Sequence, residues 1–476
     1  MTPVIPPTTS HVFRDNSVKA LANPQLQRAL SNIRRDFVDS RGRALADLPE
    51  EEYAALKAEA KALKDHTLAH LDFYLERFAA KVAETGGEVH WCATAAEARE
   101  TIIALCKRYN AKTIAKGKSM VGEEIDLNAY LEAAGLRPIE TDLGEYIIQM
   151  KGDRPSHITA PAIHLTKEDV GDLFAEKHKR PRKSEIPALV GEAREMLRPR
   201  YHEADIGLTG ANFLIAETGS SAIITNEGNG DLSQILPRAH IVLASIDKIV
   251  PTLEDALTIS RILARTSSGQ EFTVYTTFST GVRRAGDVDG PAAFHVVLLD
   301  NGRSKLLGTK QEPILRCIRC AACLNHCPVY KSVGGHAYGW VYTGPMGAVI
   351  TPALLGVERS GPLPNASTFC GRCEAICPMS IPLPSLMRHW RETEYERKGA
   401  PAAYRHGLGL WAFVAKRPRL YALATGLGAR VLGCFGRGRG RLSALPLAGG
   451  WTGTRDFPAP EGATFRAQWR AAHGRG

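Results

Sequence analysis

The stretch "EVHWCATAAEARETIIALCKRYNAKTIAK", residues 88–116, decides the fold. "EVHWC" (88–92) reads as a short strand, "AAEARETIIALCKRY" (95–109) as a helix with its apolar residues at spacings of three and four, and "KTIAK" (112–116) as a second strand. Strand and helix alternating at these lengths predict a mainly parallel sheet covered by helices. The rhythm continues outward. "EEIDLNAYLEAAG" (123–135) reads as a helix and "RPIET" (137–141) as a strand. "ANFLIAETGSSAIITN" (211–226) reads as two strands joined at Gly219, and "HIVLASI" (240–246) as another. "LEDALTISRILART" (253–266) is a predicted helix, with strands at "FTVYTT" (272–277) and "AFHVVLLD" (293–300). The predicted domains are therefore a tail and helical segment over 1–69, an α/β domain over 70–300, a cysteine-bearing segment over 301–390 and a basic C-terminal segment over 391–476. Within the first, residues 1–20 read as a loose tail and Pro24 to Thr85 as helical, with Asp47 and Pro49 near the start of the main helix and Gly86-Gly87 at the end. "NGRSKLLGTKQEP" (301–313) reads as a polar connector.

The chain has 476 residues, 44% of them apolar and 23% charged, an ordinary globular balance that excludes disordered and fibrous classes. Its net charge of +10 is uneven: the residues from Arg388 onward carry 16 Lys and Arg against 5 Asp and Glu. That basic tail (Lys416, Arg417, Arg419, Arg430, Arg437, Arg439, Arg441) suits an acidic partner or anionic lipid, or simply keeps the chain soluble. It carries no nucleic-acid motif, and no nucleic-acid partner is expected. "MTPVIPPTTSHVFRDN" lacks the apolar core of a secretory signal. The longest stretch free of Asp, Glu, Lys and Arg, Ser332 to Val357, is rich in glycine, holds Pro345 and Pro352, and lies between two cysteine groups; it reads as a buried connection rather than a membrane span. A cytoplasmic protein with peripheral membrane contact through its basic segment is the expectation. Ten cysteines, seven of them in two tight groups, fit metal ligation in a reducing compartment better than disulfides.

Those groups are the most specific signal. Cys317, Cys320, Cys323 and Cys327 stand as C-x2-C-x2-C-x3-C followed by Pro328, the bacterial ferredoxin run. Three thiolates two residues apart wrap around one cubane, while the fourth faces away to a neighbouring cluster. The proline after it should turn the chain away. Structural zinc, with four ligands in two pairs, does not suit seven cysteines with two C-P endings. "CGRCEAICP" (370–378) aligns by its C-P ending, which puts Ser367 in the first ligand position. The crossed pattern then gives one complete site, Cys317, Cys320, Cys323 and Cys377, and one short of a thiolate, Cys327, Cys370 and Cys373. A three-cysteine site accepts 3Fe–4S, or 4Fe–4S with an oxygen, nitrogen or solvent ligand, for which Ser367 is the nearest candidate. The 42 residues between Cys327 and Cys370 make an arm too long for a compact two-cluster ferredoxin. The segment resembles the α-helical ferredoxin domain of succinate dehydrogenase iron–sulfur subunits.

With "KGKSMVGEEIDLN" (116–128), "ETDLGEYIIQ" (140–149), "GANFLIAETGSSAIITNEGNGDLSQILPRAHI" (210–241) and "VDGPAAFHVVLLDNGRS" (288–304) added to both cysteine groups, the chain from about 70 to 470 resembles the lactate utilisation protein B family of bacteria. The resemblance implies an α/β LUD domain similar to the NagB/CoA-transferase-like fold, then an α-helical ferredoxin-type segment with two 4Fe–4S clusters on the two cysteine sets above. It also implies action with two companion proteins in L-lactate oxidation, and three cysteines in the second motif.

Other signals are weaker. "KGKS" (116–119) is no phosphate loop, because Lys112 stands where a glycine is needed; Lys116 and Lys118 read as a solvated basic turn, with anion binding the sharper alternative. "EGNGDLS" (227–233) has Ser233 in place of a third glycine and no evident helix after it, so Gly228 and Gly230 read as a tight turn facing the strand ends. Glu140, Asp142 and Glu145 offer acid–base chemistry, against helix capping by Asp142 as the plainer reading. Arg283 and Arg284 read as surface charges before a carboxylate clamp. His157, His164 and His295 read as packed core histidines, and Cys92, Cys106 and Cys434 as buried free thiols. The catalytic residues are not identified. No flavin or nicotinamide fingerprint is present, so the expected role is a non-flavin, iron–sulfur electron-transfer subunit of a system oxidising L-lactate to pyruvate. The rival is a redox-sensing binding protein with a ligand-binding α/β domain.

Overall fold

Strands β1 (Glu88–Cys92) and β2 (Thr113–Lys116) form where expected, and the helix Ala95–Arg108 between them is capped by Thr94, whose side chain accepts from Glu97 N–H. The two strands are not neighbours. In this computed structural model, which describes residues 8–399, 401–436, 438–445, 449–453 and 455–474, β3 is Arg137–Glu140, β4 Ile206–Thr209, β5 Phe213–Ile215, β6 Ser220–Thr225, β7 Ala239–Ser245, β8 Ile249–Val250, β9 Tyr275–Ser279 and β10 Ala293–Leu299. Six strands make one all-parallel sheet in the order β1-β10-β7-β4-β2-β3. Every residue of β7 is buried, because helices cover both faces. Ile241 and Leu243 pack against Ile102 and Leu105 on one face, and Val242 and Ala244 pack against Phe78 and Val82 on the other. A second, mixed sheet runs β8-β5-β6-β9, with β5 and β6 joined antiparallel through Gly219.

The chain leaves β2 towards β3 at one edge, then crosses back to β4 on the other side of β2. The switch point of the sheet lies between β2 and β4, and their carboxyl ends open there. Gly207 in β4 is required by packing, since a Cβ would lie 1.8 Å from Ser233 O on the helix Asn229–Ile235.

Several expectations need correction. Of the loose tail expected over 1–20, residues 1–7 lie outside the described residues and 10–20 are folded: Ser10 is buried with its hydroxyl donating to Tyr338 O at 2.7 Å, and Phe13–Leu21 is a helix. The helix over 123–135 is broken at Asp126, whose φ of 55° ends Met120–Glu124 before Leu127–Ala133 begins. A helix does follow "EGNG": Gly228 caps Asn229–Ile235 and Gly230 lies in its first turn, so neither glycine makes a tight turn. The strand at 272–277 is shifted to β9, and β4 and β8 were not expected.

The segment from 301 to 393 belongs to the same compact unit, Met1–Thr393. Its core is shared with the α/β domain: Ile215, Val250, Ile259 and Ile262 pack in one cluster with Ile314, Tyr330, Tyr338, Val349 and Leu386. The glycine-rich stretch before Val357 is buried and holds a helix, Gly344–Leu355. No helix among the described residues is long and apolar enough to cross a membrane.

The second unit, Glu394–Gly476, holds two packed helices, Ala402–Ala415 and Pro418–Gly436. Lys416, Arg417 and Arg419 sit at the turn between them, flanked by exposed Leu410, Trp411, Phe413 and Leu423. Cys434, expected to be buried, is exposed on the second helix. Arg437 lies outside the described residues.

Candidate metal centre and adjoining cavity

The two cysteine loops share one backbone, fifty residues apart. Arg319 and Ala321 have φ of 61° and 62°, and Phe369 and Gly371 have 54° and 76°. These left-handed residues bend each loop back on itself before a one-turn helix, Ala322–Asn325 or Arg372–Ala375. In each helix the carbonyl of the left-handed residue accepts two amides: from Leu324 and Asn325 at 2.9 and 3.1 Å, and from Glu374 and Ala375 at 3.1 Å. This is a two-unit repeat that the cysteine spacing alone shows in the sequence. Pro328 follows an extended Cys327 and is the first residue of a new helix, Pro328–Val333.

The fold brings the cysteines together in two sets. Cys317, Cys320, Cys323 and Cys377 line one apolar pocket with Ile318, Leu324, Met346 and Met379. Burial pushes the Cys323 thiol well above its usual range, and Cys317, Cys320 and Cys377 push it further. Burial also pushes Cys373 up to about 12, followed by the charge of Cys327 and Cys370. Cys320, Cys327 and Cys377 are raised by burial as well. Thiols crowded in this way need protons or a cationic centre, which an iron–sulfur core supplies. Backbone amides already point at sulfur, as Ile381 N–H does to Cys377 Sγ at 3.5 Å. The two sets differ in access: Cys370 is exposed, and amide donation from Arg372 and the hydroxyl of Thr368 lower its thiol.

Tyr338 lies close enough to both sets to feel the charge of Cys327, Cys323 and Cys373. Its hydroxyl is buried without a hydrogen-bond partner among the described residues. A cluster sulfide is an acceptor that would complete it, so the residues fit the group. Ser367 stands where the repeat puts a fourth ligand to the second set; it is half-buried, and its Oγ accepts from Phe369 N–H at 3.0 Å.

Beside the first set lies a buried charge network that the sequence reading missed. Arg303, read as part of a polar connector, is wholly buried and bonds Glu124 at 3.0 and 2.5 Å, with Asp247 Oδ1 3.0 Å from its Nε. Arg319, inside the cysteine run, reaches Asp247 at 3.6 Å and lies over the Tyr342 ring. Burial opposes ionisation of Asp247, yet Arg303 and Arg319 hold it well below the carboxylate range. Lys64 donates to the carbonyls of Asp247 and Ile249 at 2.6 and 3.2 Å, and burial lowers it to about 8. Lys248 is likewise lowered to about 8, by burial and then Arg319. The only signals in the sequence were an arginine between two cysteines and one in "DNGRS".

At the switch point a cavity of about 380 Å³ opens among Gly117, Lys118, Ser119, Thr209, Asn212, Glu227, Asn229 and Lys248. Arg319 and Ile158 line both this cavity and the pocket of the first cysteine set.

Lys116 is not in a solvated turn. It is wholly buried, bonded to Glu140 at 2.6 Å and Glu123 at 3.1 Å. Burial alone would lower it, but these carboxylates keep it charged. Glu145 has both oxygens buried without a hydrogen-bond partner among the described residues, and burial, followed by Glu140, pushes its carboxyl well above the usual carboxylate range. Asp142 caps the helix Leu143–Lys151 and also lines the cavity. His157, His164 and His295 are buried, as expected. His164 and His295 also belong to tight groups, Asp153 with His164 and His336, and Glu88 with His90 and His295. Cys92 and Cys106 are buried thiols, and Arg283 and Arg284 are exposed.

Residues 75–299 match the LUD domain family model, and residues 313–381 match that of the 4Fe-4S dicluster domain. The cysteine segment is thus an iron–sulfur segment. Lactate utilization protein B of Geobacillus sp. (strain WCH70) is 46% identical over 90% of this chain and 89% of its own. The protein of that name from Lysinibacillus sphaericus (strain C3-41) is 42% identical over 96% of each chain. That from Bacillus subtilis (strain 168) is 41% identical over 95% of each.

Proposed function

The chain belongs to the lactate utilization protein B family, and from that premise we propose that it is the iron–sulfur electron-transfer subunit of a system oxidising L-lactate to pyruvate. The observation that carries this reading is the gathering of seven thiols from two loops into two adjacent sets. Cys317, Cys320, Cys323 and Cys377 would hold one 4Fe–4S cluster. Cys327, Cys370 and Cys373 would hold the other, with Ser367 or solvent at the fourth iron. Bound clusters supply one-electron carriers in series. The chain's own residues bury the first set beside Arg319, place Tyr338 near both sets, and bring Cys370 to the surface, where an electron can leave for a partner. Two companion proteins, one of which takes the hydride of lactate, complete the system.

The open parallel sheet and its switch-point cavity support a NagB/CoA-transferase-like assignment for the α/β domain. The basic turn at Lys416–Arg419 with its exposed apolar neighbours supports peripheral contact with an anionic membrane.

Anaerobic purification with iron and sulfide analysis, followed by low-temperature electron paramagnetic resonance, tests the cluster assignment. We expect two interacting 4Fe–4S signals on reduction. Ser367→Cys should alter the signal of one cluster only and slow its loss of iron in air. Lactate-dependent cluster reduction by this chain alone would overturn the division of labour with the companions.

A further inference from the structure

We propose that the switch-point cavity binds a small 2-hydroxy- or 2-oxocarboxylate, with Lys248 as its carboxylate partner, one side-chain layer from the first cysteine set. The choice of acid rests on the lactate reading above; the site itself rests on geometry. Lys248 is 9% exposed, lines the cavity, and has no hydrogen bond or ion pair among the described residues. A buried ammonium left in this way is costly unless an anion completes it. Asn229, 7% exposed, lines the same cavity, and its Oδ1 has no hydrogen-bond partner among the described residues. Its amide offers both a donor and an acceptor to an oxo or hydroxyl group beside the carboxylate. The hydroxyl of Ser119 and the amide of Asn212 are further polar groups in the lining.

The charged lining falls into two groups, which limits the ligand. Lys248 interacts with Arg319 and Asp247, while Glu227 interacts with Asp142 and Lys118. The two lining carboxylates, Asp142 and Glu227, disfavour a multiply charged phosphate and leave room for a singly charged acid at Lys248. The volume of about 380 Å³ holds such an acid together with several waters.

The position has a consequence for redox behaviour. Arg319 and Ile158 are walls of both the cavity and the first cysteine pocket, so a bound carboxylate adds a negative charge close to the cluster those cysteines would hold. An anion there binds the oxidised centre more tightly than the reduced one, and by linkage its binding lowers the midpoint potential. A tenfold preference corresponds to a shift of about 59 mV for one electron.

Equilibrium dialysis of labelled pyruvate and L-lactate against the anaerobically prepared full chain tests the site, with acetate as the comparison probe. We expect saturable, stoichiometric binding of at least one of the two, at least tenfold tighter than acetate. Lys248→Met should weaken it tenfold or more while iron and sulfide stay at wild-type levels. Asn229→Asp, which adds a like charge beside the ligand, should weaken it as well, and serves as the arbiter if Lys248→Met loses iron. A redox titration with saturating ligand should move one cluster to lower potential and leave the other in place. Undiminished binding in the iron-replete variants, acetate binding as tightly as pyruvate, or no binding to a chain with full iron and sulfide would each overturn the site and leave the electron-transfer reading standing. A chain that cannot be loaded with iron would sink that reading instead, and dialysis would still report on the cavity.

Discussion

The loops 317–327 and 367–377 have nearly the same backbone and opposite surroundings. Asn325 in the first bonds His157 Nε2 at 2.9 Å; its counterpart in the second, Ala375, is exposed and bonds nothing through its side chain. Arg319 in the first is buried against Asp247, while Phe369 in the second is half-buried under the guanidinium of Arg391. Cys317 supplies a fourth thiol where the second loop has Ser367. One loop is thus built into the α/β domain and the other faces outward. The same cofactor chemistry would meet two environments, and burial, nearby charge and solvent access are the levers that separate cluster potentials.

The largest effect should come from breaking the charge network under the first loop. Arg303→Met leaves Glu124 buried without its cation and Asp247 with Arg319 alone, which costs about 3–5 kcal/mol. Denaturant unfolding under anaerobic conditions should show that loss. If the comparison is right, electron paramagnetic resonance of the folded fraction should show the first cluster perturbed and the second unchanged. Equal perturbation of both clusters would break it.

A smaller effect should come from acid. Burial lowers His157 from 6.5 to about 4, against the raising influence of its bond to Asn325. The fold therefore holds it neutral. As pH falls through 6.5, the unfolded chain takes up the proton first, so the contribution of His157 to stability declines between pH 6.5 and 4 and then levels off. By pH 5 the share of the loss due to His157 should be roughly 2 kcal/mol relative to pH 7. His157→Gln keeps a donor for Asn325 and removes the titration. Its unfolding free energy should fall less than the wild type's over the same range. An identical decline in both would mean that this anchor of the first loop does not titrate as buried.

Much of this asymmetry was hidden in the sequence, and the reason is distance along the chain. The strands were legible because parallel strands covered on both faces leave apolar runs such as "AFHVVLL". The iron–sulfur segment was legible because each cysteine loop is local. β4 was not, since "IGLT" is four residues long and held by neighbours from elsewhere in the sheet. Lys116 looked solvated because its partners Glu123 and Glu140 lie on a following helix and strand. Arg303 is joined to Glu124 across 179 positions, and no local pattern marks such a pair. The anchoring of the first loop is built wholly from contacts of that kind.

The smallest effect isolates the surroundings from the backbone. Gly371 has φ of 76°, and a Cβ added there would meet nothing within 4 Å. Gly371→Ala therefore tests the left-handed conformation alone and should cost about 1 kcal/mol. At the matching position the first loop already holds Ala321, with φ of 62° and only 3% exposed. Its methyl group gains about 0.8 kcal/mol from burial, close to the strain it bears. Ala321→Gly should then be nearly neutral, because relief of strain and loss of packing offset one another. Unfolding of the two variants measured side by side separates the possibilities. A clear cost for Gly371→Ala with little change for Ala321→Gly means that packing in the first loop sustains a strained residue which the second loop, facing outward, can tolerate only as glycine. Equal and opposite changes would mean that the backbone alone governs both loops and that their surroundings add nothing to it.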